Sequence, residues 1–167
     1  VLFGISLYIT YAFRTVSYPV SSFKYGAVTL VTLAHDVLIP AGLFAVLGYA
    51  RGVAIDTNFI VALLTVMGFS VHDTIVVFDR IRENLLKKTG ESLALVVNRS
   101  VNETLHRSIN TSLTLVLVLV ALFLFGPLST SYFVLAILVG TVVGTYSSIF
   151  VASPLLVLWQ EFDNKRK

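Results

Sequence analysis

Cysteine is absent from this sequence. That excludes a disulfide framework and any cysteine-built metal site. Charge is scarce as well. Asp, Glu, Lys and Arg make up 13% of the 167 residues, against roughly 25% in an ordinary soluble domain. The three histidines, His35, His72 and His106, lack metal-ligand spacing. No run resembles a nucleotide-binding loop, a catalytic triad or a zinc motif. Neither a hydrolytic enzyme nor a bound cofactor or metal is expected.

What is present is apolar. Hydrophobic residues make up 56% of the chain, and its mean hydropathy is +0.89. Long apolar runs separate short bunches of charge, and a run of about 20 such residues matches the hydrocarbon thickness of a bilayer. The pattern predicts an all-α membrane protein of about five transmembrane helices, at residues 1–13, 26–49, 57–78, 105–125 and 130–159. The first is too short to cross, so its start is expected before Val1. It has neither a basic leader nor a small-residue cleavage site, unlike a signal peptide. The last exceeds a bilayer's need and should tilt or protrude.

Residues 51–56 and 126–129 read as tight turns, and 14–25, with Pro19, as a modest loop. The longest connection, 79–104, is basic. Within it Leu93, Val96, Val97 and Val101 recur at helical spacing, which predicts an amphipathic helix along the membrane surface over 91–102. Alternate loops share a side. Arg14, Lys24, Arg80, Arg82, Lys87, Lys88, Arg99, Arg107, Lys165, Arg166 and Lys167 therefore fall together, and Arg51 falls opposite. The positive-inside rule puts the rich side, and the C-terminus, in the cytoplasm. The net charge of +3 is thus a topology signal before it is a sign of nucleic-acid binding.

Polar groups inside the spans need a reason, because a charge at the centre of a membrane helix costs about 2.5–3.5 kcal/mol on insertion scales. Asp73 sits deep in the third span, with His72 and Thr74 beside it. It is either a structural carboxylate or a proton-titrating one, and intramembrane acids facing a bundle interior are proton-relay candidates. His35 and Asp36 lie within the second span, where helix linking and proton transfer both stay open. His72 points about 100° away from Asp73 on a helix, so adjacency does not pair them. Arg107, Asn110, Thr111 and Thr114 fall at i, i+3, i+4 and i+7, one stripe on one face. Arg107 fits either a snorkelling role at the boundary or a functional one.

The fifth span carries Ala136, Gly140, Gly144, Ser148 and Ala152, a small residue every four. Such a stripe lets another helix backbone approach closely, and Thr145, Ser147 and Ser148 add hydroxyls that can bond across. Pro40 and Pro154 lie within helical segments and are expected to kink them.

Four motifs resemble those of the SecF family of protein-export membrane proteins. They are Ala34-His35-Asp36-Val37, the run Gly68-Phe69-Ser70-Val71-His72-Asp73-Thr74-Ile75-Val76-Val77-Phe78-Asp79-Arg80-Ile81-Arg82-Glu83-Asn84, the run Asn102-Glu103-Thr104-Leu105-His106-Arg107-Ser108-Ile109-Asn110-Thr111-Ser112, and Gly144-Thr145-Tyr146-Ser147-Ser148-Ile149-Phe150. They stand in family order and span nearly the whole chain. The departures are His72, where asparagine is usual, and Ser108, where threonine is usual.

The resemblance implies half of a resistance-nodulation-division type bundle. The chain would supply helices two to six, after a first helix and an extracytoplasmic domain. It also implies pairing with SecD, separate or fused, and an accessory role at the SecYEG translocon of the bacterial inner membrane, with YajC and YidC as further partners. Preproteins would be the cargo and the proton-motive force the drive, with H+ as coupling ion. Asp73 matches the family's proton-carrying aspartate and Arg107 its basic partner. A small-molecule or lipid exporter of the same superfamily is the alternative, and a passive scaffold a third reading. The motif set disfavours the former and the intramembrane Asp73 the latter.

Overall fold

The computed structural model describes residues 4, 5, 11, 20–87 and 90–166. Most of the first expected span, with Arg14, Lys88 and Lys167, lies outside the described residues. The elements run α1 (Ser22–Arg51), α2 (Thr57–Lys87), α3 (Leu93–Phe125), a 3-10 turn (Leu128–Thr130), α4 (Ser131–Ser147), a π turn (Ser148–Ala152) and α5 (Ser153–Arg166). The last four form one continuous apolar span, so four spans among the described residues are long and apolar enough to cross a membrane.

Local chemistry sets the ends. α1 stops at Gly52, whose φ of +67° is left-handed backbone that favours glycine. Asp56 then caps α2, its Oδ1 accepting from Phe59 N–H at 3.0 Å, which satisfies an amide with no partner inside the helix.

The helices outrun the sequence expectation, α2 and α3 the furthest at any one end. α2 continues to Lys87 rather than ending near residue 78, because Arg80–Glu83 at 2.5 Å, Arg82–Asp79 at 3.7 Å and Lys87–Glu83 pair along its last turns. The stretch 91–102 is not a separate surface helix. It forms the first turns of α3, since no glycine or proline interrupts the chain from Leu93 to Phe125. At 1.5 Å per residue a helix of 33 residues is roughly 50 Å long, so its charged end extends past a hydrocarbon core of about 30 Å.

Pro40 leaves α1 an unbroken helix. Pro154 follows the π turn. Its ring crowds the carbonyl of Phe150 one turn back and it has no N–H to donate. The wider turn relieves that crowding, and Ser153 Oγ donates to the Ser148 carbonyl at 3.3 Å.

Two apolar clusters form the core. One gathers Tyr25, Leu33, Val77, Phe78, Ile81, Val97 and Leu156, with Tyr25 and Phe78 edge to face at 5.2 Å. The other gathers Phe44, Phe59, Ala62, Leu119, Val134 and Ile137. Between the two clusters fall the buried Asp36 of α1, Ser108 and Ser112 of α3, and Ser147 and Ser148 at the end of α4, which with Asp73 of α2 make a polar layer at mid-height. Outward, Leu117, Val118, Leu124 and Leu158 stand exposed, a belt that water would not tolerate and lipid does.

Apart from Arg51, at the far end of α1, the described basic residues converge on one end. Lys24 pairs with Asp163 at 2.5 Å and donates to Gln160 at 2.7 Å, tying the start of α1 to the end of α5. Arg80 meets Glu103 at 2.6 Å, and Asn84 donates to Ser100 at 2.9 Å, tying the end of α2 to the start of α3. Cysteines placed at Ser92 and Ser129, both exposed, should therefore label from opposite sides of the membrane, with no native cysteine in this sequence to interfere. Labelling of both from one side would sink this topology.

Candidate functional site

Two carboxylates occupy the polar layer, and both are held by serines. Asp73, on α2, is 7% exposed. Its Oδ1 accepts from Ser108 Oγ of α3 at 2.8 Å and its Oδ2 from Ser148 Oγ of the π turn at 2.8 Å. Asp36, on α1, is fully buried. Its Oδ2 accepts from Ser70 Oγ of α2 and from Ser147 Oγ of α4 at 2.6 Å, and His35 Nδ1 lies 2.9 Å from its Oδ1. Adjacent residues on a helix point about 100° apart. That divergence lets Ser147 and Ser148 serve different acids.

These serines have a second acceptor within reach. Ser147 Oγ lies 3.1 Å from the Gly144 carbonyl, and Ser148 Oγ lies 3.0 Å from the Thr145 carbonyl. A hydroxyl has one proton and two acceptor lone pairs. Facing a carboxylate, the serine donates to it. Facing a carboxylic acid, it accepts the acid's proton and turns its own to the backbone carbonyl. Either protonation state leaves both groups satisfied, which matters where an unpaired buried polar group is costly.

Close packing builds this cradle. The small stripe is buried throughout, at Ala136, Gly140, Gly144, Ser148 and Ala152. A Cβ on Gly144 would lie 3.0 Å from Ser70 Cβ, so α4 and α2 approach there closely enough for serine hydroxyls to reach across. Ser112 and Thr145 hydroxyls meet at 2.6 Å.

The expected polar stripe behaves differently. Arg107, Asn110, Thr111 and Thr114 are all exposed. Among the described residues Arg107 pairs with no carboxylate and does not reach Asp73; its backbone carbonyl accepts from Thr111 Oγ1 at 2.9 Å. The inward face of α3 is instead Ser100, Thr104, Ser108 and Ser112, all buried. Arg and Asn are too bulky for this close approach. Sequence reasoning missed Ser70, Ser108 and Ser112, and the available signal was the hydroxyl every fourth residue along α3. His72 is exposed and His35 half-buried. Thr74 is buried, and its Oγ1 has no hydrogen-bond partner among the described residues. No group of residues suited to a metal ion occurs among the described residues.

Residues 1–162 match the family described as "Protein export membrane protein SecD/SecF, C-terminal". The chain is 56% identical over 160 residues to the protein translocase subunit SecF of Thermobaculum terrenum, covering 96% of this chain and 50% of that one. It is 45% identical over 165 residues to the SecF of Synechocystis, covering 99% and 50%. It is also similar to the protein translocase subunit SecDF of Thermus thermophilus, at 44% over 168 residues, or 100% of this chain and 21% of that one. Among solved structures, SecDF in a super-membrane-facing form superposes with a TM-score of 0.87 at 41% identity, covering 99% of this chain and 21% of that one. The chain spans about half the length of the SecF relatives named here.

Proposed function

The chain belongs to the SecD/SecF C-terminal family of protein-export membrane proteins, and from that membership we propose that it is the membrane half of an accessory subunit of the bacterial Sec export machinery. It pairs with SecD, separate or fused, as the fused SecDF relative supports. It assists preprotein movement at SecYEG, with YajC and YidC as neighbours. It is a multi-pass membrane protein. We place it in the cytoplasmic membrane, with the basic end and the C-terminus toward the cytoplasm.

The drive is the proton-motive force, and Asp73 carries the proton. One observation supports this above the rest: both Asp73 oxygens are held by serines from two other helices. Each protonation state therefore favours its own hydrogen-bond arrangement across α2, α3 and the π turn. An apolar surround favours the neutral form of a carboxyl and a nearby cation the charged form. Arg107 lies on the same turn of α3 as Ser108 but on its exposed face, so in this conformation it is withdrawn from Asp73. A bundle motion that turns α3 would bring it nearer and favour proton release.

Energetics constrain the coupling. A charge crossing the membrane gains about 2.3 kcal/mol per 100 mV, whereas inverting a two-state equilibrium from 1:99 to 99:1 takes about 5.5 kcal/mol. One proton at that voltage biases a nearly balanced pair of conformations rather than forcing an unbalanced one. In sodium-free membrane vesicles carrying the full-length protein and its partner, a proton gradient should stimulate preprotein movement, and a protonophore should remove that stimulation. Stimulation that needs sodium and ignores the protonophore would overturn the choice of ion.

A further inference from the structure

Asp36 is more deeply buried than Asp73, yet the function proposed above gives it no task. Its surroundings repeat those of Asp73. Each acid accepts from one serine of the pair Ser147 and Ser148 and from one serine on a neighbouring helix, Ser70 for Asp36 and Ser108 for Asp73. Ser147 has the same alternative acceptor one turn back, the Gly144 carbonyl at 3.1 Å. The hydrogen bonds around Asp36 can thus close with the carboxyl ionised or protonated. A carboxylate kept only to tie helices together would not need that freedom.

Asp36 also has something Asp73 lacks. Its other oxygen lies 2.9 Å from His35 Nδ1, and the His35 side chain is 37% exposed. An imidazole takes a proton at one ring nitrogen and releases one from the other. His35 therefore links a fully buried acid to the outside of the bundle. Few other charges bear on the site. α4 and the π turn contain no acidic or basic residue. α2 brings Asp73 and the exposed His72 at this level, and α3 the exposed His106 and Arg107.

We propose that Asp36 is a second proton-carrying group of the same machinery, exchanging its proton through His35 and reporting its state to α4 through Ser147. In the exchange a proton leaves His35 Nδ1 and bonds to Asp36 Oδ1, while His35 regains one at Nε2 from outside. With Oδ1 protonated, Oδ2 becomes the weaker carbonyl acceptor of a neutral acid, which releases Ser147 to turn its own proton to the Gly144 carbonyl while Ser70 still donates to Oδ2. Because Ser147 and Ser148 are neighbours at the junction of α4 and the π turn, two acids on different helices act on one short segment. This rests on the reading of Asp73 as the first carrier, and the test separates the two.

The test is infrared difference spectroscopy of the full-length protein with its partner in lipid, between acid and alkaline pH, read at the protonated-carboxyl carbonyl band. Asp36→Asn should remove one titrating band and Asp73→Asn a different one. Ser147→Ala should move only the Asp36 band and Ser148→Ala only the Asp73 band. After a pH jump, His35→Phe should slow the appearance of the Asp36 band by about 100-fold, the lower end of what a positioned acid–base group contributes. An Asp36→Asn spectrum that superposes on the wild type overturns the proposal. If that variant fails to fold, a Ser147→Ala spectrum with every band in place overturns it instead, and an unchanged rate in His35→Phe removes His35 from the route. A band lost in Asp36→Asn but none in Asp73→Asn would overturn the reading of Asp73 and leave Asp36 as the carrier.

Discussion

Asp73→Asn should abolish proton-driven export while leaving a folded, inserted protein. The geometry explains why the fold survives. An asparagine amide presents one acceptor oxygen and an NH2 donor pair. Its oxygen can accept from Ser108 or Ser148, which lie 2.8 Å from the two carboxylate oxygens. Where the NH2 faces Ser148, that serine accepts and donates instead to Thr145, whose carbonyl lies 3.0 Å away. The variant therefore adopts the arrangement of the protonated acid and keeps it.

What is lost is the exchange. A charge moved through 100 mV is worth about 2.3 kcal/mol, which as a bias on an equilibrium is about 50-fold. The variant should forfeit a factor of up to that size and match wild-type export measured with the gradient collapsed. Abundance in the membrane and thermal unfolding in detergent should stay near wild type, since no buried group is orphaned. A well-expressed Asp73→Asn protein with normal gradient-dependent export would make the carboxylate structural and this mechanism wrong.

The sequence carried the membrane class and the buried acid because both signals are local. An apolar run is visible in one dimension, and so is an acid inside it. The polar face of α3 was not legible in the same way. Two stripes run along that helix at helical spacing, Arg107 with Asn110, Thr111 and Thr114, and Ser100 with Thr104, Ser108 and Ser112. Periodicity shows that each occupies one face and says nothing about which face meets α2. Size decides it. Serine lets α3 lie against α2 and α4, and arginine does not. The departure at Ser108 is also better understood. Serine and threonine both carry a hydroxyl that can donate to Asp73 as Ser108 does, so the hydrogen bond survives the change. The π turn was legible only as an expected kink at Pro154. A proline marks a disturbed helix without specifying whether the chain bends or widens. Here widening joins α4 to α5 without a break, and Ser148, its first residue, reaches Asp73.

Gly140→Ala should damage the packing of α2 against α4, and Val66→Ala should rescue it. A Cβ on Gly140 would stand 2.6 Å from one γ-methyl of Val66 and 3.0 Å from its Cβ, with the other γ-methyl nearer still. Val66 is 1% exposed, and a β-branched side chain in a helix has essentially one rotamer, so it cannot swing aside. The backbones of α2 and α4 must part. Overpacking of this kind costs about 1–3 kcal/mol. It also reaches the site, because Gly144 meets Ser70 one turn further on the same two helices. Parting them there lengthens the bonds from Ser70 and Ser147 to Asp36 and from Ser148 to Asp73, so export should fall along with stability. Val66→Ala removes both γ-methyls. Alone it leaves a small cavity, and with Gly140→Ala the added methyl fills part of it. The double variant should unfold at a higher temperature than Gly140→Ala alone and recover export. Val142→Leu, at a position 52% exposed on the same helix, should change neither. The expected signature is a coupling energy between Gly140 and Val66 in a double-mutant cycle. Additive effects of the two changes would mean that α2 and α4 do not meet at this contact, and the close approach that brings the serines to the acids would lose its basis.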